Sequence, residues 1–178
     1  PEQLPRTLAL AIRHALARQG VSVVVIPGDV ALKPAEDAPA PTSAGLVFAR
    51  PLVLPAESEL ERMAQLLNGS RKVTLLCGAG CQGAQAEVLE LAKKLKAPIV
   101  SALRGKEYLE PLSDHYVGLT GLIGVSSGYF AMNDCDALLL LGTDFPYRQF
   151  FPEDDDTKIV QLDIRAENIG KRTRVDLG

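Results

Sequence analysis

Between residues 73 and 164 four short apolar runs, 73–77, 99–103, 137–141 and 159–164, recur with amphipathic stretches at 84–95 and 126–133 among them. Runs this short and this largely apolar suit strands buried on both faces. Strand and helix in alternation require crossover connections, which are right-handed and place helices on both faces of a parallel sheet. The chain therefore reads as α/β and Rossmann-like. Its 178 residues are enough for one such domain and a remnant of another.

The remnant lies upstream. Leu4, Leu8, Ile12, Ala15 and Leu16 recur at helical spacing, with Arg6, Arg13 and Arg18 on the other face and Gly20 as the stop. Residues 21–26 are a β-branched run expected to form a strand, closed by Pro27-Gly28-Asp29. Pro34, Pro39 and Pro41 then stand among small and acidic residues without periodicity, so residues 34–48 are expected to be a linker. Beyond it, residues 55–68 place Leu60, Met63, Ala64 and Leu67 on one face of a helix ending at Gly69. The chain begins at Pro1 without an initiator methionine, which reads as a segment of a longer protein.

Several function classes are disfavoured. Lys and Arg total 19 against 22 Asp and Glu, for a net charge of −3, so the basic field of a nucleic-acid binder is missing. No apolar run reaches the roughly 18 residues of a membrane span. Cys77, Cys81 and Cys135 cannot make an even disulfide framework and fit a reducing cytoplasm. Cys77 and Cys81 lack the second ligand pair of a zinc site, so no metal site is expected. His14 and His115 stand in no nucleophilic arrangement, which argues against a hydrolase. The run Glu153-Asp154-Asp155-Asp156 reads as a solvated loop tip.

The sharpest local signal is Cys77-Gly78-Ala79-Gly80-Cys81-Gln82-Gly83, a G-x-G-x-x-G spacing between a strand and a helix. Glycines there permit a tight turn and close approach of a pyrophosphate to backbone amides at a helix N-terminus, or they serve a strand-to-helix turn alone. No acidic residue stands at the end of the next strand to hold an NAD ribose. That region reads Ser101-Ala102-Leu103-Arg104-Gly105-Lys106, where Arg104 and Lys106 can pair with phosphate or stay solvated. Ordinary NAD is thus disfavoured, and NADP stays open through Arg104. Three further loops belong to the same expected edge: Thr120, Gly121, Leu122 and Ile123; Thr143, Asp144, Phe145, Pro146 and Tyr147 after Gly142; and Asp163, a potential acceptor for a ribose or an adenine amino group. Open α/β sheets bind ligands at the carboxyl ends of their strands.

These segments are familiar in combination. Residues 21–33 (VSVVVIPGDVALK), 77–84 (CGAGCQGA), 97–107 (APIVSALRGKE), 117–128 (VGLTGLIGVSSG) and 140–148 (LLGTDFPYR) together resemble the bacterial pyruvate oxidases, flavoenzymes of the thiamine-diphosphate superfamily that include the quinone-reducing pyruvate dehydrogenase. The resemblance spans nearly the whole chain and about the middle third of a family member. It implies that residues 1–33 end a pyrimidine-binding domain and that residues 49–178 are a central, DHS-like FAD-binding domain. Such enzymes oxidatively decarboxylate pyruvate, passing electrons to FAD and then to a quinone or oxygen, with acetate or acetyl phosphate as product. Carried over by motif, Gly78, Ala79, Gly80, Arg104, Thr120 through Ile123, Thr143 through Tyr147, and Asp163 would contact FAD. Relatives of this kind are cytoplasmic homotetramers, and any membrane association would lie in segments outside this stretch.

Two departures bear on function. The superfamily's Gly-Asp-Gly followed by paired Asn is missing from this stretch, as is the activating glutamate, so thiamine diphosphate and Mg²⁺ would bind outside it and these residues alone would not turn over pyruvate. Asp144 puts a carboxylate beside an anionic cofactor, so its side chain is expected to point away. The same central domain occurs in thiamine-dependent decarboxylases and acetolactate-forming enzymes, where it holds ADP, structural FAD or nothing. A purely structural interdomain module is the third reading.

Overall fold

The computed structural model describes residues 2–34, 52–110 and 114–178, and the chain divides into two compact units, Pro1–Val53 and Leu54–Gly178. In the first, α1 (Leu4–Arg18) has a proline in its first turn, where no amide bond is lost, and Arg18 in its last, where a cation complements the helix dipole. Gln19, at φ 48°, makes the left-handed exit that precedes Gly20. The strand expected at residues 21–26 is not formed. Val21, Val23 and Val25 are 91%, 81% and 81% exposed, and the segment has no neighbouring strand among the described residues. A β-branched run becomes a strand only when its amides and carbonyls find an edge to pair with. A single helical turn, α2 (Gly28–Ala31), follows Pro27. The expected linker at 34–48 lies, apart from Pro34, outside the described residues.

The second unit is a five-stranded, wholly parallel sheet. After α3 (Glu57–Gly69), it runs β1 (Val73–Cys77), α4 (Gln85–Leu95), β2 (Ile99–Ser101), α5 (Lys106–Leu109), β3 (Tyr116–Leu119), α6 (Ser126–Asn133), β4 (Ala137–Leu141) and β5 (Lys158–Leu162). The spatial order is β3-β2-β1-β4-β5, with Leu75 level with Ile99 and Leu139, and Leu76 level with Val100 and Leu140. Side chains alternate across the pleat. Val73, Leu75 and Cys77 join Leu139, Leu67 of α3 and Val88 and Ala92 of α4 in one buried cluster. Leu76, Leu138 and Leu140 join Met132 of α6 with Phe145 and Phe151 in another. Helices thus cover both faces, as the alternation implies, and each fully buried leucine is worth about 1.5–3 kcal/mol in apolar surface removed from water.

The boundaries differ from expectation at the carboxyl ends. The second run stops at Ser101 because Leu103–Gly105 coils into a 3₁₀ turn, and the last stops at Leu162. The fifth strand, β3, was hidden in the sequence. It is short, carries Gly118 at φ +128°, and shifts register against β2 between Ile99 and Val100. Glycine and an irregular pairing remove the signals by which a strand is recognised. Beyond β5 the chain returns, and Leu177 forms a parallel bridge with Val160 at the sheet's edge.

Candidate functional site

From β1 the strand order runs one way through β2 to β3 and the other way through β4 to β5, so the topology reverses between β1 and β4. Connections leaving that point diverge to opposite faces and open a crevice outside the carboxyl ends. The loop after β1 and the loop after β4 meet there backbone to backbone. A Cβ on Gly78 would stand 2.5 Å from Gly142 O and 2.6 Å from Thr143 Cβ, and one on Gly80 would stand 2.6 Å from Gly142 Cα. Gly78 N donates to Leu141 O and Gly80 N to Gly142 O, each at 2.9 Å.

This interlock corrects one expectation. The Gly78 and Gly80 amides do not face an anion, because the end of β4 takes both. Cys81, Gln82 and Ala84 donate to carbonyls within their own turn, which leaves the amides of Ala79 and Gly83 without a protein acceptor among the described residues. The glycines therefore serve close packing of two loops, and the loop's open amides are those of Ala79 and Gly83.

The other loops join the same rim. A Cβ on Gly105 would meet Cys77 O at 2.4 Å, which seats the turn after β2 under the glycine loop. Arg104 in that turn is exposed and has no protein partner among the described residues, whereas Lys106, the other candidate phosphate partner, is bonded to Glu110. After β3, Gly121 adopts φ +106°, and a Cβ there would lie 3.0 Å from the ring of Phe145 and 3.5 Å from that of Tyr147. After β5, Leu162 O accepts the Gly142 amide at 2.9 Å. All five strand ends thus form one continuous rim, and the predicted residues lie along it.

Their roles within the rim are unequal. Thr120 is 3% exposed and its Oγ1 has no hydrogen-bond partner among the described residues. It lines a pocket of about 230 Å³ with Gly121, Gly124, Val125, Tyr129 and Phe150. Leu122 and Ile123 are 67% and 69% exposed, an apolar shelf beside that pocket. Phe145 is buried, with edge-on contacts to Tyr147, Phe150 and Phe151, so its ring belongs to the core. Thr143 is buried and Pro146 exposed. Asp163 spends its carboxylate locally, accepting from Arg165 N at 2.8 Å and Asn168 Nδ2 at 3.2 Å.

Asp144 turns to the C-terminal segment, where Arg172 and Lys171 bind it and hold its carboxyl below the usual carboxylate range. Neither cation was read from the sequence as part of the site, nor were Tyr129 and Phe150. Arg148, quoted only as the end of a motif, is exposed and lacks a protein partner among the described residues. Partnerless guanidiniums at Arg104 and Arg148, two spare amides, an orphaned hydroxyl and an apolar shelf suit a ligand that carries phosphates and a flat apolar part.

Comparison with known proteins agrees with this architecture. Residues 60–178 match the family described as thiamine pyrophosphate enzyme, central domain. The chain is 57% identical over its whole length to an uncharacterized 42.6 kDa protein of Pseudomonas amyloderamosa, covering 44% of it. It is 29% identical over 98% of its length to the pyruvate oxidase of Lactiplantibacillus plantarum, and 31% identical over 96% to the acetolactate synthase isozyme 1 large subunit of Escherichia coli, covering 29% and 30% of those relatives. A solved chain from Mycobacterium smegmatis, assigned to the thiamin diphosphate-dependent enzymes, shares the fold with a TM-score of 0.70 at 22% identity, over 98% of this chain and 34% of that one. The chain thus spans less than half the length of these relatives, and it belongs to the thiamine pyrophosphate enzyme central-domain family.

Proposed function

We propose that this central domain binds FAD in a thiamine-diphosphate enzyme that oxidatively decarboxylates pyruvate to acetate, with electrons leaving through the flavin to a quinone or oxygen. The observation that carries the reading is the continuous rim at the β1–β4 reversal, with its unpartnered donors at Arg104, Ala79, Gly83 and Thr120. Bound FAD would supply two-electron acceptance. The chain's own residues would hold and orient it. Arg104 would pair its planar fork of donors with a phosphate, the Ala79 and Gly83 amides would share that charge, and Thr120 Oγ1 would meet a polar edge of the ligand. Leu122 and Ile123 would keep water from the flat part, and Asp144, already neutralised by Arg172 and Lys171, adds no free charge against the phosphates.

In this reading residues 1–33 end the pyrimidine-binding domain, thiamine diphosphate and Mg²⁺ sit outside these residues, and the enzyme is a cytoplasmic homotetramer. A second reading is an acetolactate-forming enzyme with a non-redox flavin, favoured by the acetolactate synthase of E. coli among the relatives. Anaerobic addition of pyruvate to the flavin-loaded full-length protein separates the two. Bleaching of the flavin band supports the oxidase, acetolactate formation without bleaching supports the synthase, and failure to bind FAD at all removes both.

A further inference from the structure

Helix α6 starts against the strand it follows, and its first turn is pinned there. Ser127 Oγ donates to Val117 O at 2.6 Å, and a Cβ on Gly128 would stand 2.7 Å from Leu119 O. The amides leading into the helix are satisfied. Gly124 N donates to Gly121 O and Val125 N to Leu119 O, each at 2.8 Å, and Tyr129 N donates to Val125 O at 3.2 Å. Val125, at the cap position, supplies no side-chain acceptor. The amides of Ser126, Ser127 and Gly128 are therefore left without an acceptor among the described residues, and they carry the positive end of the helix dipole.

This helix end opens beside the pocket of about 230 Å³, which Ser126 lines together with Thr120. The Thr120 hydroxyl is a second, independent sign of a missing partner, being buried with no hydrogen bond among the described residues. The remaining wall is Gly121, Gly124, Val125, Tyr129, Phe130 and Phe150, with the Tyr129 ring edge-on to Phe130 at 5.7 Å and to Phe150 at 6.2 Å. No Lys, Arg or His is in that wall, so a phosphate would enter without the cation that makes its binding strong. A flat, uncharged group that carries carbonyl oxygens suits it better, with aromatic rings against its faces and amides at its acceptors. The space takes one end of a ring system and not a whole dinucleotide.

We propose, on the reading that the rim holds FAD, that this pocket takes the dioxopyrimidine edge of the flavin ring. That edge presents acceptor, donor and acceptor in a row, as C2=O, N3–H and C4=O. The amides that open α6 donate to a carbonyl oxygen, and Thr120 Oγ1, which can both donate and accept, meets the neighbouring polar group. The phosphates are then left to Arg104 and the glycine turn, beyond the two strands next to β3. Ser126, Ser127 and Gly128 thereby become ligand-binding positions through their backbone.

The test compares FAD with ADP, which has the phosphates and lacks the ring, on the full-length protein. Ser126 is the first residue of α6, where proline deletes an amide without breaking a helix bond. Val125 before it is extended, at φ −109° and ψ 156°, as a residue preceding proline prefers. Ser126→Pro should bind FAD roughly two- to tenfold more weakly, the scale of one hydrogen bond, and ADP as tightly as the parent. Thr120→Val, which keeps every backbone group and carries the test should the proline unfold the protein, should show the same split. In infrared difference spectra the carbonyl bands of bound FAD should move to higher frequency in both variants. Unchanged FAD affinity, an equal loss for FAD and ADP, or carbonyl bands that stay in place overturns the subsite while leaving FAD binding intact. A parent protein that binds no FAD overturns the subsite and the FAD reading together.

Discussion

Arg172 grips both carboxylate oxygens of Asp144, Nε at 2.7 Å from one and Nη2 at 3.0 Å from the other, across 28 positions of sequence. The pair fastens the C-terminal segment to the loop after β4, and it removes a bare negative charge from the rim. Both side chains keep about a third of their surface in water, so the bond is open to screening by salt. Asp144→Asn should therefore lower the melting temperature slightly at neutral pH and low salt, with the difference shrinking at high salt. The folded-state carboxyl is depressed, so its contribution is present above the unfolded carboxylate value near ~3.9 and is lost as pH falls through the lower folded value. Melting curves of the two proteins should converge at that acid end and separate again as pH rises.

If the rim holds FAD as proposed, Thr120 sets stability against binding. Its Oγ1 is buried without a partner among the described residues, and an unsatisfied buried hydroxyl costs about 1–3 kcal/mol. Thr120→Val keeps the shape and removes the hydroxyl, so the free protein should melt higher while affinity for FAD falls. Calorimetry and a flavin titration on the same variant check both halves. Unchanged FAD affinity in Thr120→Val would take the hydroxyl out of the ligand's reach.

Arg104 is expected to act on the ligand alone. Arg104→Ala should leave the melting temperature of the ligand-free protein unchanged, since the side chain is exposed and has no protein partner among the described residues. It should weaken FAD binding by roughly ten- to a hundredfold, the scale of a hydrogen bond to a charged group at about 1.5–3 kcal/mol. Equal affinity in equilibrium dialysis would remove Arg104 from the site.

The glycines of the interlock should tolerate no side chain. Gly80→Ala would place a carbon 2.6 Å from Gly142 Cα, which backbone cannot yield cheaply, and should destabilise by about 1–3 kcal/mol or more while loosening FAD. Gly69→Ala is the contrasting case. It closes α3 with nothing within 4 Å of the added carbon, and should stabilise by about 0.4–1 kcal/mol. Chemical denaturation of the two variants decides both signs.

Legibility followed burial and locality. Residues 73–77 and 137–141 read correctly to the residue because every one of their side chains is buried, so the apolar run and the strand coincide. The helices at 84–95 and 126–133 read nearly as well, since each has one face on the sheet. Residues 21–26 misled because propensity promises a strand and only a neighbouring edge delivers one. Tyr116–Leu119 was missed for the opposite reason, being held by pairing with β2 while its own composition, with Gly118, argues against it.

In the rim, loops that follow strands could be ordered from the sequence. The partners of Asp144, Arg172 and Lys171, could not, because contact across that distance leaves no local pattern. Nor does a motif reveal that β4 consumes the Gly78 and Gly80 amides.

The bridge between Val160 and Leu177, with Gln161 N donating to Leu177 O at 2.9 Å, has a consequence for how this domain behaves in company. It occupies hydrogen-bonding groups that β5 would otherwise hold out to a passing chain. At the far side β3 pairs with β2 alone among the described residues, and its Gly118 kink and slipped register make it a poor template for foreign backbone. Both flanks of the sheet are thus blunted against extension by a foreign strand.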